Sequence, residues 1–167
     1  MRHRRLLPLC LLVGLGTASI AAHAQTNKPL NIYVMDVEGG SATLFAAPSG
    51  QSVLIDTGNG GPAAARDAGR ILAAAQDAGI AQIDHLITTH WHGDHYGGMA
   101  EFSSRLPIRH FYDHGPNMQP AQPVDAFLQQ TYPGIYAKGT HTVVKPGDKI
   151  AVTGLDCQGH GFRCARY

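Results

Sequence analysis

Six consecutive residues, His90-Trp91-His92-Gly93-Asp94-His95, carry three imidazoles and a carboxylate. In an extended segment the side chains at i and i+2 point the same way, so His90 and His92 can present two nitrogens to one ion. Gly93 permits a sharp turn, which brings Asp94 and His95 round to serve a second ion or to hold a water between both. Two divalent ions about 3.5–4 Å apart clamp an attacking and a leaving oxygen, and each lowers the pKa of bound water toward neutrality. Imidazole mixed with carboxylate suits zinc, iron or manganese better than magnesium or calcium. One histidine in a loop would be an ordinary polar residue; this density at the end of an apolar run points to two divalent metal ions, zinc first and iron or manganese as alternatives.

The elements that must hold these groups can be read from periodicity. Runs at 30–37, 42–48 and 52–58 are short, apolar and rich in β-branched residues, and Pro48-Ser49-Gly50 makes the last two a hairpin. From Pro62 to Ala78 the pattern turns helical, with Ala65, Ala68, Leu72 and Ala75 on one face and Gly79 as a stop. A buried strand over 83–90 delivers the histidines, and Tyr96-Gly97-Gly98 leads to a short helix over 100–105. A strand at 108–114, a helix at 123–131 and a hairpin of 140–144 with 149–154, turned at Lys145–Asp148, complete a layered α/β arrangement.

Composition limits the partners. Arg2, His3, Arg4 and Arg5 precede an apolar run from Leu6 to Ala22 and the triplet Ala22-His23-Ala24, the layout of a secretory signal over 1–24 cut after Ala24. Pro8, Gly14 and Gly16 break that run, and no later segment reaches the roughly 20 apolar residues of a membrane crossing. Cys10 lacks the small residues that precede a lipid-bearing cysteine. The expected product is therefore exported, periplasmic or secreted, with no stable membrane span. Three of the 13 basic residues leave with the signal and all 12 acidic residues stay, so the balance tips slightly negative. With no basic stripe, nucleic acid is an unfavoured partner. Cys157 and Cys164 can either pair as a disulfide in an oxidising compartment or stay unpaired, and their spacing is foreign to zinc sites.

The stretch THWHGDH resembles the His-x-His-x-Asp-His signature of the metallo-β-lactamase superfamily, and residues 36–58 resemble the opening of its DNA-uptake competence-protein branch. Ser41 departs from that branch, which often carries an acidic residue there. The resemblance implies an αββα sandwich and a hydrolase that uses a metal-bound hydroxide on an ester, amide or phosphoester. By the same resemblance His90 and His92 hold the first ion, Asp94 and His95 the second, and Asp94 orients the nucleophilic water or takes its proton. Asp56 matches the first motif of the family, where a carboxylate supports the metal loop through hydrogen bonds. Asp36 and Glu38 read as solvated loop carboxylates, Asp84 as an anchor of its strand start, and His110 and His114 as structural or solvent-facing, with His114 near the cleft. Trp91 reads as packing for its loop.

Relatives complete the metal shell with later residues and build their sheets from two similar halves. Here the resemblance covers a partial domain over 25–156, the first half and the opening of the second, and residues 157–167 show neither alternation nor helical period. Either this tail is foreign to the fold, as a frameshift would make it, or it is genuine and His160 or Cys157 supplies a ligand; His141 is a further candidate. Half a sandwich would leave apolar area and strand edges exposed. An inactive metal-binding fragment is the alternative to an active hydrolase, and β-lactam hydrolysis a further one.

Overall fold

The computed structural model describes residues 28–119, 122–158 and 163–166; the expected signal at 1–24 lies outside them. Strands β1 (Asn31–Val34), β2 (Thr43–Ala46) and β3 (Ser52–Ile55) form an antiparallel meander. The β2–β3 turn closes as the Pro48-Ser49-Gly50 signal requires, with Ala47 N donating to Gln51 O at 2.8 Å. The register switches to parallel at β4 (Ile83–Ile87), β5 (Ile108–Asp113) and β6 (Thr140–Val143), giving one six-stranded sheet in sequence order. Parallel neighbours need crossovers, and helices provide them. A 3-10 turn over Gly61–Ala63 begins α1 (Ala64–Asp77), and α2 (Gly93–Tyr96) with α3 (Met99–Arg105) links β4 to β5.

The third crossover is longer than the sequence pattern suggests. It runs through α4 (Gln122–Ala126), a π-helical turn at Phe127–Thr131 and α5 (Tyr132–Tyr136). Pro133 lies in the first turn of α5, where its missing N–H would otherwise break the ladder; the widened π turn just before it absorbs the disruption.

One face of the sheet packs on the helices through Leu44, Leu54, Leu86, Ile71, Met99, Phe102 and Phe111, all nearly fully buried. The amphipathic face of α1 differs in one respect from its apolar pattern. Asp67 is buried beside Ala68, Ile71 and Ala75, and accepts from the Asn59 backbone at 2.8 Å and from Arg66 Nε at 2.8 Å. Burial alone would raise this carboxyl, but the Arg66 and Asn59 hydrogen bonds outweigh it and hold Asp67 below the usual range.

The other face meets a second sheet, formed by β7 (Lys149–Val152), β8 (Leu155–Gln158) and β9 (Arg163–Arg166) in antiparallel order. Ala47, Val53 and Ile87 pack there against Ile150, Val152, Leu155 and Cys157. Two expectations need correction. Residues 140–144 and 149–154 are not a hairpin: β6 pairs with β5, and the turn at Lys145–Asp148 is a corner carrying the chain to the other sheet, where Ile150 and Val152 can cover Val53. The tail without visible period nevertheless forms strands, with Cys157 disulfide-bonded and opposite Cys164 in the ladder. Ile32 and Val34 remain 53% and 79% exposed on β1. Among the described residues no helix is long and apolar enough to cross a membrane.

The apolar contact between the sheets contains one misfit. His85 is buried, its Nδ1 lies 3.3 Å from Tyr112 Oη, and its Nε2 has no hydrogen-bond partner. Its ring stacks on His110 of the neighbouring strand, centroids 5.3 Å apart, with Asp84 and Arg109 nearby. Burial, then the His110 charge, pushes its pKa down. Unfolded, His85 takes up a proton below about pH 6.5; folded, it resists, so stability present above that pH is lost as pH falls. The melting temperature should therefore drop between pH 8 and pH 5, and the drop should shrink in His85→Phe; equal drops in both would refute the assignment. Phe102→Ala, which empties a fully buried site, should destabilise by about 3–5 kcal/mol in denaturant unfolding.

Candidate metal centre

Strands β3, β4 and β5 run parallel, so the segments that follow them emerge at one sheet edge. Asp56 follows β3 directly. It is 1% exposed and adopts φ +60°, a left-handed conformation uncommon for a residue with a side chain. Its N–H donates to Ile87 O at 2.8 Å, which fixes the turn to the end of β4. Its carboxylate accepts from Thr89 N at 2.8 Å and Thr89 Oγ1 at 2.7 Å, and lies 2.8 Å from His95 Nδ1.

These contacts determine where two imidazoles carry their protons. A carboxylate buried among donors accepts, so His95 Nδ1 donates, and in the neutral ring Nε2 carries the lone pair. The single Thr89 hydroxyl hydrogen goes to Asp56. Towards His90 Nδ1, at 3.1 Å, Thr89 Oγ1 can then only accept, which leaves the His90 Nε2 lone pair free as well. Burial, followed by the neighbouring His95 and His92 imidazoles, lowers the His90 pKa and keeps the ring neutral near pH 7.

Backbone contacts hold the loop in register. Thr57 N and Oγ1 donate to His95 O at 2.7 and 3.1 Å, and Ser41 N donates to Asp94 O at 3.0 Å. The glycine pair after α2 is dictated by this approach: a Cβ on Gly97 would lie 2.2 Å from Gly60 N, and one on Gly98 would lie 2.1 Å from Thr57 O. Only residues without side chains let the two turns touch.

The structure brings His90, His92, Asp94 and His95 together. His90 and His95 ring centroids are 3.9 Å apart, His90 and His92 4.5 Å, and Asp94 Oδ2 is 3.7 Å from His95 Nε2. Among the described residues no set of three or more His, Cys, Asp or Glu side chains is placed to hold a metal ion as they stand. Imidazoles radiating from a shared zinc at about 2.0–2.1 Å would place their centroids roughly 5 Å apart, so these rings sit somewhat too close together. The donor chemistry suits a borderline divalent cation: clustered imidazoles, a carboxylate beside them, and a buried acceptor behind.

His141 does not join this group. Its Nε2 is 2.7 Å from Asp113 Oδ2, which also accepts from Tyr132 Oη at 2.8 Å, and its ring stacks on Tyr136. The buried carboxylate of Asp113 holds it in a separate cluster. His160 lies outside the described residues, and Cys157 faces the inter-sheet core. Asp36 and Glu38 pair with Arg70 and Arg66, while Asp84 accepts from Ser52 N at the strand start. Trp91 is 2% exposed and donates Nε1–H to Gly115 O at 2.7 Å. A cleft of about 270 Å³ opens beside the cluster, lined by His90, Trp91, His92, His114, Met118 and Gln119. Sequence reasoning missed Thr89, although a hydroxyl directly before the first histidine was a visible signal, and Gln119, for which spacing offered none.

The profile of the metallo-beta-lactamase superfamily matches residues 35–159. The lactamase-like protein nscB of Aspergillus fumigatus is 31% identical over 75% of this chain and 40% of its own length, and thioesterase pkgB of Emericella nidulans is 30% identical over 75% and 38%. A solved metallo-beta-lactamase of Cronobacter sakazakii superposes with a TM-score of 0.49 at 16% identity, covering 76% of this chain and 45% of that one. The chain thus spans about 40% of the length of the curated relatives it matches. With its profile match running from the first strands across the histidine cluster into the second sheet, the chain belongs to the metallo-beta-lactamase superfamily.

Proposed function

We propose that this chain carries the cation-binding part of a metal-dependent hydrolase acting on an ester, amide or phosphoester. The observation that carries the reading is the Asp56 clamp, because a buried carboxylate that sets imidazole protons through His95 and Thr89 has a clear use behind metal ligands. His90 and His92 hold one ion, Asp94 and His95 the other, with zinc first and iron or manganese as alternatives. Divalent ions bound there supply Lewis acidity and a hydrolytic nucleophile at neutral pH. Asp94, partly exposed, receives the proton released as water attacks, and the cleft beside His92 receives the substrate. Two curated relatives are named thioesterases, which favours acyl chemistry among the three substrate types. The Arg2–Arg5 and Leu6–Ala22 layout favours export to the periplasm or medium.

A second reading, a chain that binds metal without turnover, is favoured by the donor groups, which the described residues do not gather into a shell of three or more. Calorimetric zinc titration and turnover of p-nitrophenyl and S-acyl esters separate the two. The parent chain should bind zinc, His92→Ala should lose most of that affinity, and Asp56→Asn should weaken it about 10–100-fold. Indifference of binding to both changes would remove the cluster from consideration. With zinc saturating, Asp94→Asn should slow ester hydrolysis by about 10²–10⁴. Normal zinc binding with no hydrolysis by the parent chain would select the non-catalytic reading.

A further inference from the structure

The cleft of about 270 Å³ is lined by His90 and His92 from the loop after β4 and by the turn that follows β5. Sites for drug-sized molecules measure about 300–1,000 Å³, so a smaller group fits here. Its place restricts that group, because whatever enters is bonded to the atoms held at the histidine cluster. The described residues lining the cleft include no lysine, arginine, aspartate or glutamate. Arg66 and Arg70 are engaged elsewhere, on Glu38 and Asp36. A carboxylate or phosphoryl group entering the cleft would give up water and gain no cation in return.

The apolar surface comes from Trp91 and from Met118, which is 81% exposed. Its two neighbours bond to each other across it: Gln119 N donates to Asn117 Oδ1 at 3.2 Å, and the Asn117 amide donates to the Gln119 carbonyl oxygen. Met118 therefore stands at the crest of a closed turn. Gly115 joins that turn to the opposite wall, since its O accepts the Trp91 indole N–H while its N donates to buried Asp113, both at 2.7 Å. A methionine there is unbranched and polarisable, and it adapts its shape to apolar groups of different form. The half of an ester or thioester that brings no heteroatom beyond its carbonyl is the acyl chain, and that half suits such walls.

We propose that Met118 is a specificity-determining residue and that the cleft takes the acyl chain of esters or thioesters whose acyl group is uncharged and apolar. The hydrolytic part of this statement rests on the function proposed above; the preference of the cleft for an uncharged chain does not.

Trp91 is the only tryptophan in the chain, so its fluorescence reports on the cleft. Metal-free protein at pH 8 is titrated with hexanamide and with adipamate, a chain of the same length that ends in a carboxylate. Hexanamide should bind about 10–100-fold more tightly. Met118→Lys should erase or invert that preference, and Met118→Leu, which keeps an apolar crest, should retain it. Because Met118 is exposed, neither change threatens the core. Equal affinity for the two amides, no binding of either, or a preference untouched by Met118→Lys overturns the proposal. With zinc saturating, p-nitrophenyl hexanoate should exceed mono-p-nitrophenyl adipate in kcat/KM by a similar factor, and the reverse order also overturns it. Turnover of neither ester would sink the hydrolase reading, and the amide titrations would still decide what the cleft accepts.

Discussion

The carboxylate of Asp56 is the constraint around which the functional edge is organised. It is buried and sits on left-handed backbone, a conformation that costs on the order of 1–3 kcal/mol and persists only where the surroundings over-determine it. Here they do: Ile87 O takes its N–H, Thr89 donates to it twice, and His95 completes the set. An unpaired buried carboxylate would be strongly unfavourable, so the histidine loop and the β3 turn form together or not at all. Chemistry and local stability share the same four contacts.

The loops around this clamp are matched by shape as much as by charge. The glycines at 97 and 98 let one turn lie directly on another, and backbone donors from Ser41 and Thr57 hold the carbonyls of Asp94 and His95. On the far flank, buried Asp113 gathers Tyr132, His141 and the Gly115 amide, and through Gly115 it steadies Trp91 between the two leading histidines.

Much of this was legible in the residues. The cluster at 90–95, the hairpin at Pro48-Ser49-Gly50 and the helix after Pro62 follow from spacing and turn chemistry that act locally. Asp56 was visible through its resemblance to the first motif of the superfamily; the end of an apolar run alone would make it an ordinary turn residue. What stayed hidden depends on distant partners. The corner at Lys145–Asp148 looks like any hairpin turn until β5 offers β6 a free edge. Strand β9 lacks alternation, and pairing with β8 supplies the order that pattern does not. Buried Asp67 breaks an apolar stripe because Asn59 and Arg66, brought in by the fold, satisfy it. His141 looked like a spare ligand because nothing in the sequence places it beside Asp113.

The parallel run of β3, β4 and β5 sends three successive connections to a single rim, while the packed layers lie below it. The part of that rim beyond Gly115 is consequently separable from the scaffold under drift: residues 116–118 can change and so alter which molecules are admitted, while Gly115 keeps its contacts with Trp91 and Asp113. A lineage with this layout can diversify its diet by editing one border of the molecule, and a designer can graft there for the same reason.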